Sequence, residues 1–223
     1  MMQRTRRYPD DPAGPFPRPP AVFTDDEERR LRIEPLDDSE ALDGFGALDD
    51  SEAVVDALTT MYSQFHPADR AQGIPPASEP QIRSWLAPLV ENGINVAVRP
   101  VSTDEPKNGT ASGSAPDRVD DEPGYVGHAV LVPETDEPDS IADPGEVEWE
   151  LAIFVLQAYQ GAGIGTELLA HLLGEASARG VDRVWLTVER WNGAAITVYE
   201  RTGFRTVGTE SFDIEMAIRL SGE

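Results

Sequence analysis

The chain contains no cysteine. Disulfides, thiolate metal sites and a cysteine nucleophile are thereby excluded. Histidine is nearly as scarce: His66, His128 and His171 stand far apart, with no H-x-x-x-H or similar pair. No metal site is expected from them. Long hydrophobic runs are also missing. The longest strongly apolar run is 151–156, LAIFVL, far short of the roughly 20 residues that span a bilayer. The Arg6-Arg7 pair invites a twin-arginine reading, but 8–20 is dominated by proline and aspartate instead of an apolar segment. These absences lead to the expectation of a soluble, cytoplasmic protein with no membrane partner.

Positive charge is in short supply too. Lysine and arginine total 18 against 41 acidic residues, a formal net charge of −23. Such a surface repels nucleic-acid phosphates and anionic lipid, so no nucleic-acid partner is expected. Two readings of the charge stay open. Carboxylates spread along the whole chain fit adaptation to high salt, and with it a halophilic, archaeal source. The other reading is a face for a cationic partner.

At 223 residues the chain is expected to form one domain. Residues 1–22 hold six prolines and few core-forming residues, which predicts a disordered tail. The segment 31–36 alternates and reads as the first strand. Ser39 is positioned to cap a short helix to Gly44. Ser51 is positioned to cap a second, with Val54, Val55, Leu58, Met61, Tyr62 and Phe65 at helical spacing. A third helix is expected over 80–91, kinked or ended by Pro88. Strands follow at 95–99 and 124–132, separated by a long polar loop at 100–123. Then come a strand at 146–155, a helix at 164–179, a strand at 183–188, a short helix at 194–201 and strands at 204–207 and 212–220. With the short 39–44 helix left out of the count, the order βααβββαβαββ implies a mixed sheet of about seven strands flanked by helices, an α/β (α+β layered) domain over 31–220.

The segment 146–180 carries most of the functional information. A strand-like stretch, VEWELAIFV, runs through QAY into QGAGIG and then the helical TELLAHLLGEASAR. A strand that ends in a glycine-rich turn and opens a helix is a device for holding phosphate. Glycines admit the anion close to main-chain N–H groups, and the helix N-terminus adds about half a positive charge. A Walker A loop fails because Gly165 is followed by Thr166 and Glu167, and no lysine is present. A dinucleotide fingerprint fits poorly, because its third glycine position falls on Thr166 or Leu168. The pattern Q/R-x-x-G-x-G/A fits Gln160, Gly163 and Gly165 without adjustment. Downstream, N-G-A-A-I-T-V-Y-E-R-T-G-F over 192–204 fits N-x-x-A-x-x-x-Y-x-x-x-G-F.

The two motifs together with the element order resemble the GCN5-related N-acetyltransferase (GNAT) superfamily. The resemblance implies an acetyl-CoA-dependent N-acetyltransferase, in which a primary amine attacks the thioester directly. Gln160, Gly161, Ala162, Gly163, Ile164, Gly165 and Thr166 would wrap the pyrophosphate of coenzyme A. Backbone groups of Phe154, Val155 and Leu156 would hold the pantetheine arm. Asn192 would orient that arm, or cap the helix that follows it. Tyr199 occupies the general-acid position, a phenol able to protonate the departing thiolate; packing against the sheet is its other reading. Glu150 is the favoured base, with Glu148 or water as alternatives, and a β-bulge in this strand would change the facing. Glu189 reads as a solvated edge residue. The acceptor is a small amine, a protein lysine or an N-terminal amine, and a homodimer is left open. A non-catalytic acyl-CoA-binding sensor on the same fold is the alternative function.

Overall fold

A computed structural model describes residues 6–36, 50–66, 74–101 and 124–221. The expected helix at 39–44 and the polar loop from 102 onward lie outside them. Among the described residues eight strands form one mixed sheet. They are β1 (Ala21–Thr24), β2 (Arg30–Pro35), β3 (Ile94–Pro100), β4 (Gly127–Pro133), β5 (Glu148–Val155), β6 (Arg183–Glu189), β7 (Arg205–Thr209) and β8 (Asp213–Arg219). Their order across the sheet is β1-β2-β3-β4-β5-β6-β8-β7, and only β5 and β6 pair in parallel. Four helices are described: α1 (Asp50–Tyr62), α2 (Glu79–Asn92), α3 (Ile164–Ala178) and α4 (Gly193–Thr202). From β2 onward this is the expected order, and β1 adds an edge strand before it.

The central strands β3 and β4, INVAVRP and GHAVLVP, are apolar nearly throughout because both faces are covered. On one face α3 lies against β3, β4 and β5. Its buried stripe is the expected one: Ile164, Leu168, Leu172 and Ala176, flanked by Leu169 and Leu173. Each of the larger side chains contributes roughly 1.5–3 kcal/mol on burial, enough to fix the start of α3 against the end of β5. On the other face α1 and α2 close over Phe154 with an aromatic cluster of Tyr62, Phe65 and Trp85. Helix α2 takes Pro80 into its first turn, where no N–H is needed, and continues past Pro88 to Asn92.

The N-terminal segment departs from its expectation. Residues 6–20 are not a free tail but an extended arm packed along the domain. Ala13 bridges to Leu220, donating from its N–H to Arg219 O at 2.8 Å and accepting from Ser221 N–H at 3.0 Å. Arg18 pairs with Glu175 at 3.3 Å. The carbonyl of Pro17 lies 2.0 Å from where a Cβ on Gly174 would stand, so a glycine inside α3 makes room for the arm. Proline has no N–H to satisfy, so such a segment packs by carbonyls and side chains without entering a sheet.

Candidate active site

The pairing of β5 with β6 stops early. It covers Glu148 with Arg183, Trp149 with Val184 and Glu150 with Trp185, although β5 runs on to Val155 and β6 to Glu189. Beyond Glu150 the two strands part, and the β6-facing edge of β5 has no strand partner. A cleft of about 370 Å³ opens there, walled by residues 150–154 of β5, by Thr187, Val188 and Glu189, and by Asn192, Tyr199, Trp85 and Leu89. On the other side β5 keeps an unbroken register with β4, from Gly127 opposite Val155 to Pro133 opposite Trp149. No bulge interrupts β5, so plain alternation holds. Glu148, Glu150, Ala152 and Phe154 share the face that carries α1 and α2.

At the end of β5 the chain makes one turn, 157–159, and enters the glycine loop. Gly161 and Gly163 adopt left-handed backbone, φ +80° and +84°, which side chains other than glycine rarely take. Gly163 is also the N-cap of α3. The N–H groups of Gly161, Ala162, Gly163, Ile164 and Gly165 donate to no backbone carbonyl among the described residues. Five adjacent amides at a helix N-terminus with no backbone acceptor among the described residues form a nest, a concavity of N–H groups suited to an anion. The two ends of the expected wrap are engaged within the protein. Gln160 N–H donates to Gln157 O at 3.3 Å, and Thr166 N–H to Gly163 O at 3.0 Å. The Gln160 carboxamide donates to Val155 O at 2.9 Å, tying the loop to the end of β5.

The turn between β1 and β2 braces this loop from outside. Asp26 N–H donates to Ala162 O at 3.1 Å. Arg29 donates to Ala158 O at 3.0 Å and lies over the Tyr159 ring at 4.3 Å. Arg29 is held in turn by Asp25, whose carboxylate accepts from its backbone N–H and its Nε. Burial would push the Asp25 carboxyl up, but the hydrogen bonds from Arg29 and from Glu27 N–H outweigh it and hold it below the ordinary range.

A family model described as "Acetyltransferase (GNAT) family" matches residues 82–204, more than half of the chain. The chain belongs to the GNAT family. Acetyl-CoA is the acyl donor of these enzymes, and the loop meets the requirement for an anion cradle. Among relatives, the ribosomal protein bS18-alanine N-acetyltransferase of Escherichia coli K12 is 50% identical over 46 residues, 21% of this chain and 31% of that protein. An uncharacterised N-acetyltransferase of Mycobacterium bovis is 33% identical over 87 residues, 39% of this chain and 50% of that one. The matches thus span half or less of the length of these relatives. The GNAT domain of an S. lividans protein named PAT superposes with a TM-score of 0.58 at 18% identity, covering 90% of this chain and 97% of the other.

Within this GNAT domain, Tyr199 comes from α4, on the α3 side, and is 8% exposed at the cleft. Burial pushes its hydroxyl up to about 12, so it stays protonated at any working pH. Glu150 reaches the cleft from the opposite face. Desolvation raises its carboxyl above the ordinary range, Glu134 adds to the rise, and Arg6 opposes it. Asn192 caps α4, accepting from Ala195 N–H at 3.1 Å, and also lines the cleft. Of the three residues at the end of β5, Phe154 gives its ring to the aromatic cluster and Val155 O receives Gln160. The Leu156 amide donates to Val126 O at 2.9 Å, so it is committed within the protein.

One residue read as a solvated edge belongs to the site. Glu189 lines the cleft, and its Oε2 is buried without a hydrogen-bond partner among the described residues. Its alternation with Trp185 and Thr187 on β6 is the signal that places it on the Glu150 face. Trp191, in contrast, is 76% exposed and does not line the cleft. His128 is fully buried away from the opening, between Tyr62 Oη at 2.8 Å and Asn95 Oδ1 at 3.1 Å. Asn95 Oδ1 only accepts, so Nε2 carries the proton and Nδ1 accepts from Tyr62. Burial pushes His128 down to about 3, and it stays neutral. The described residues contain no group of three or more potential metal ligands.

Proposed function

We propose that this chain is an acetyl-CoA-dependent N-acetyltransferase that moves an acetyl group to a primary amine. The observation that carries the reading is the run of five unpartnered amides, Gly161 to Gly165, at the end of a strand that has lost its neighbour. These amides hold the pyrophosphate. The free edge of β5 beyond Glu150 takes the pantetheine arm as a substitute strand, with Asn192 beside it. The thioester then lies in the cleft between Glu150 and Glu189 on one face and Tyr199 on the other.

The incoming amine must lose a proton, and a carboxylate whose affinity for protons is raised by its surroundings is a better base than an ordinary one. Glu150 takes that role. The amine nitrogen attacks the carbonyl carbon, the C–S bond breaks, and Tyr199 donates its proton to the leaving thiolate. The acceptor is a primary amine on a protein or a small molecule. Calorimetry on the folded chain tests the reading: saturable association with acetyl-CoA, competed by CoA but not by NAD or ATP, is expected. Folded protein that binds no acetyl-CoA refutes it, and binding without thiol release for any amine offered favours the sensor alternative.

A further inference from the structure

The N-terminal arm buries a basic side chain in a box of acids beside the cleft. The Arg6 side chain is 13% exposed. Its Nη1 lies 2.5 Å from both the Glu134 and Glu148 carboxylates, and its Nε lies 3.5 Å from Glu215. The guanidinium carbon sits 3.4 Å from the centroid of the Trp185 ring, a stacked cation–π arrangement. Trp185 itself is 8% exposed, and its indole N–H has no acceptor among the described residues.

The walls of this box come from the sheet. Glu134 follows β4, Glu148 is on β5, Trp185 on β6 and Glu215 on β8, so their positions are set by strand register. The occupant comes from the arm instead: among the described residues, the arm's first backbone bond to the domain is the one at Ala13. Three carboxylates facing one point repel each other without a cation between them. Taking Arg6 away leaves mostly buried carboxylates without their cation, so the box favours a replacement cation over none. The box also adjoins the cleft. Glu148 lies two residues before Glu150 on the same face, about 7 Å along the strand, and Glu150 is the register partner of Trp185.

We propose that Glu134, Glu148, Glu215 and Trp185 form a cation subsite for the acceptor, which Arg6 fills in the resting chain and yields on binding. The ligand class is a primary amine that carries a second positive group, guanidinium or ammonium, about 7 Å from the reacting nitrogen. The purpose of the subsite rests on the N-acetyltransferase reading; its existence does not. The same field also gives the acidic chain a local reason to select cationic acceptors.

The test uses the full chain and agmatine, a primary amine with a guanidinium at its far end, with pentylamine as the neutral-tailed control. Binding is read by calorimetry without acetyl-CoA. The Arg6→Ala chain is expected to bind agmatine at least about tenfold more tightly than wild type, with pentylamine unchanged. Adding Glu148→Gln should remove that gain. No gain in Arg6→Ala, or an equal gain for pentylamine, overturns the proposal. Should Arg6→Ala not fold, Arg6→Lys, which keeps the charge and loses the flat stacking, should show a smaller gain; a folded Arg6→Lys with wild-type affinity overturns it. Glycyl-argininamide in place of agmatine separates a peptide acceptor from a small one by which binds better. Because acetyl-CoA is left out, failure here and failure of the acyl-donor site are read separately.

Discussion

Gly165 offers the sharpest separation of a binding loop from a merely tight turn. It stands in the first turn of α3, its φ is not left-handed, and a Cβ built on it meets nothing within 4 Å. Nothing in the fold calls for glycine there. Alanine in a helix is more stable than glycine by up to about 1 kcal/mol. For a chain of this size that is a rise in Tm of roughly 2–4 °C. The Cβ of a helical residue leans toward the helix N-terminus, into the space before the free amides of Gly161 to Gly165. A methyl there keeps a phosphate oxygen from closing on the N–H groups. Losing one or two hydrogen bonds to a charged ligand, about 1.5–3 kcal/mol each, lowers acetyl-CoA affinity by about tenfold or more. Gly165→Ala should therefore melt higher and bind worse. Gly174→Ala, nine residues on in the same helix, should show the opposite pattern. Its Cβ would stand 2.0 Å from Pro17 O, so stability falls while affinity holds. Calorimetry and thermal melts on the pair decide the matter. A Gly165→Ala chain that binds acetyl-CoA as wild type does would refute the cradle.

The acid and base assignments are open to single substitutions. Tyr199→Phe should lower kcat by about 10- to 100-fold and leave acetyl-CoA affinity unaltered; equal loss of affinity would mark the ring as packing only. Glu150→Gln should lower kcat comparably and abolish the acidic limb of the pH profile, a limb displaced upward from ordinary carboxylates by desolvation and Glu134. If Glu189→Gln has that effect and Glu150→Gln does not, the base is on β6. His128 supplies a prediction about stability. Its folded value, about 3, lies below the unfolded one of about 6.5. Below pH 6.5 the unfolded chain therefore takes up a proton that the fold refuses, and stability falls as pH falls, by about 1.4 kcal/mol per unit until near pH 3. An NMR titration should find His128 still neutral, with the proton on Nε2, at pH 5; a midpoint near 6.5 in the folded chain would overturn this account.

The parts of the site legible in the sequence are those built from near neighbours. The β5–loop–α3 unit is written in a few consecutive residues, with Gly161 and Gly163 at the left-handed positions. The Asn192 cap and the Gly203 αL stop around α4 are equally local. What was missed depends on distant partners. Proline in 8–20 reads as disorder when only composition is weighed, yet Gly174, isolated within an apolar helical stripe, was a mark of close backbone approach. Glu189 reads as an edge residue until β5 and β6 diverge, because only the end of their pairing at Glu150 and Trp185 turns that edge into a cleft wall. Arg6 meets its partners 128 and 142 positions away, and no local pattern announces contacts at that separation.

The charge of the whole chain and the chemistry of the cleft now bear on one another. A net charge of −23 opposes the approach of a polyanionic cofactor, and in the proposed function the loop answers with backbone dipoles, which act at contact distance and need no basic surface. Arg29 is a cation beside that loop, and Asp25 fixes it there. The cleft wall carries Glu150 and Glu189, and beyond Glu150 the carboxylates of Glu134, Glu148 and Glu215 surround Arg6. The two ends of the cleft thus differ in their lining, with unpartnered N–H groups and Arg29 toward one and the carboxylates of Glu150 and Glu189 toward the other. Under the proposed reaction an anionic cofactor tail takes the amide end and a cationic amine the carboxylate end. In the proposed reaction the two reacting groups meet in the gap between Glu150 and Tyr199, where orientation rather than added binding strength accelerates the chemistry.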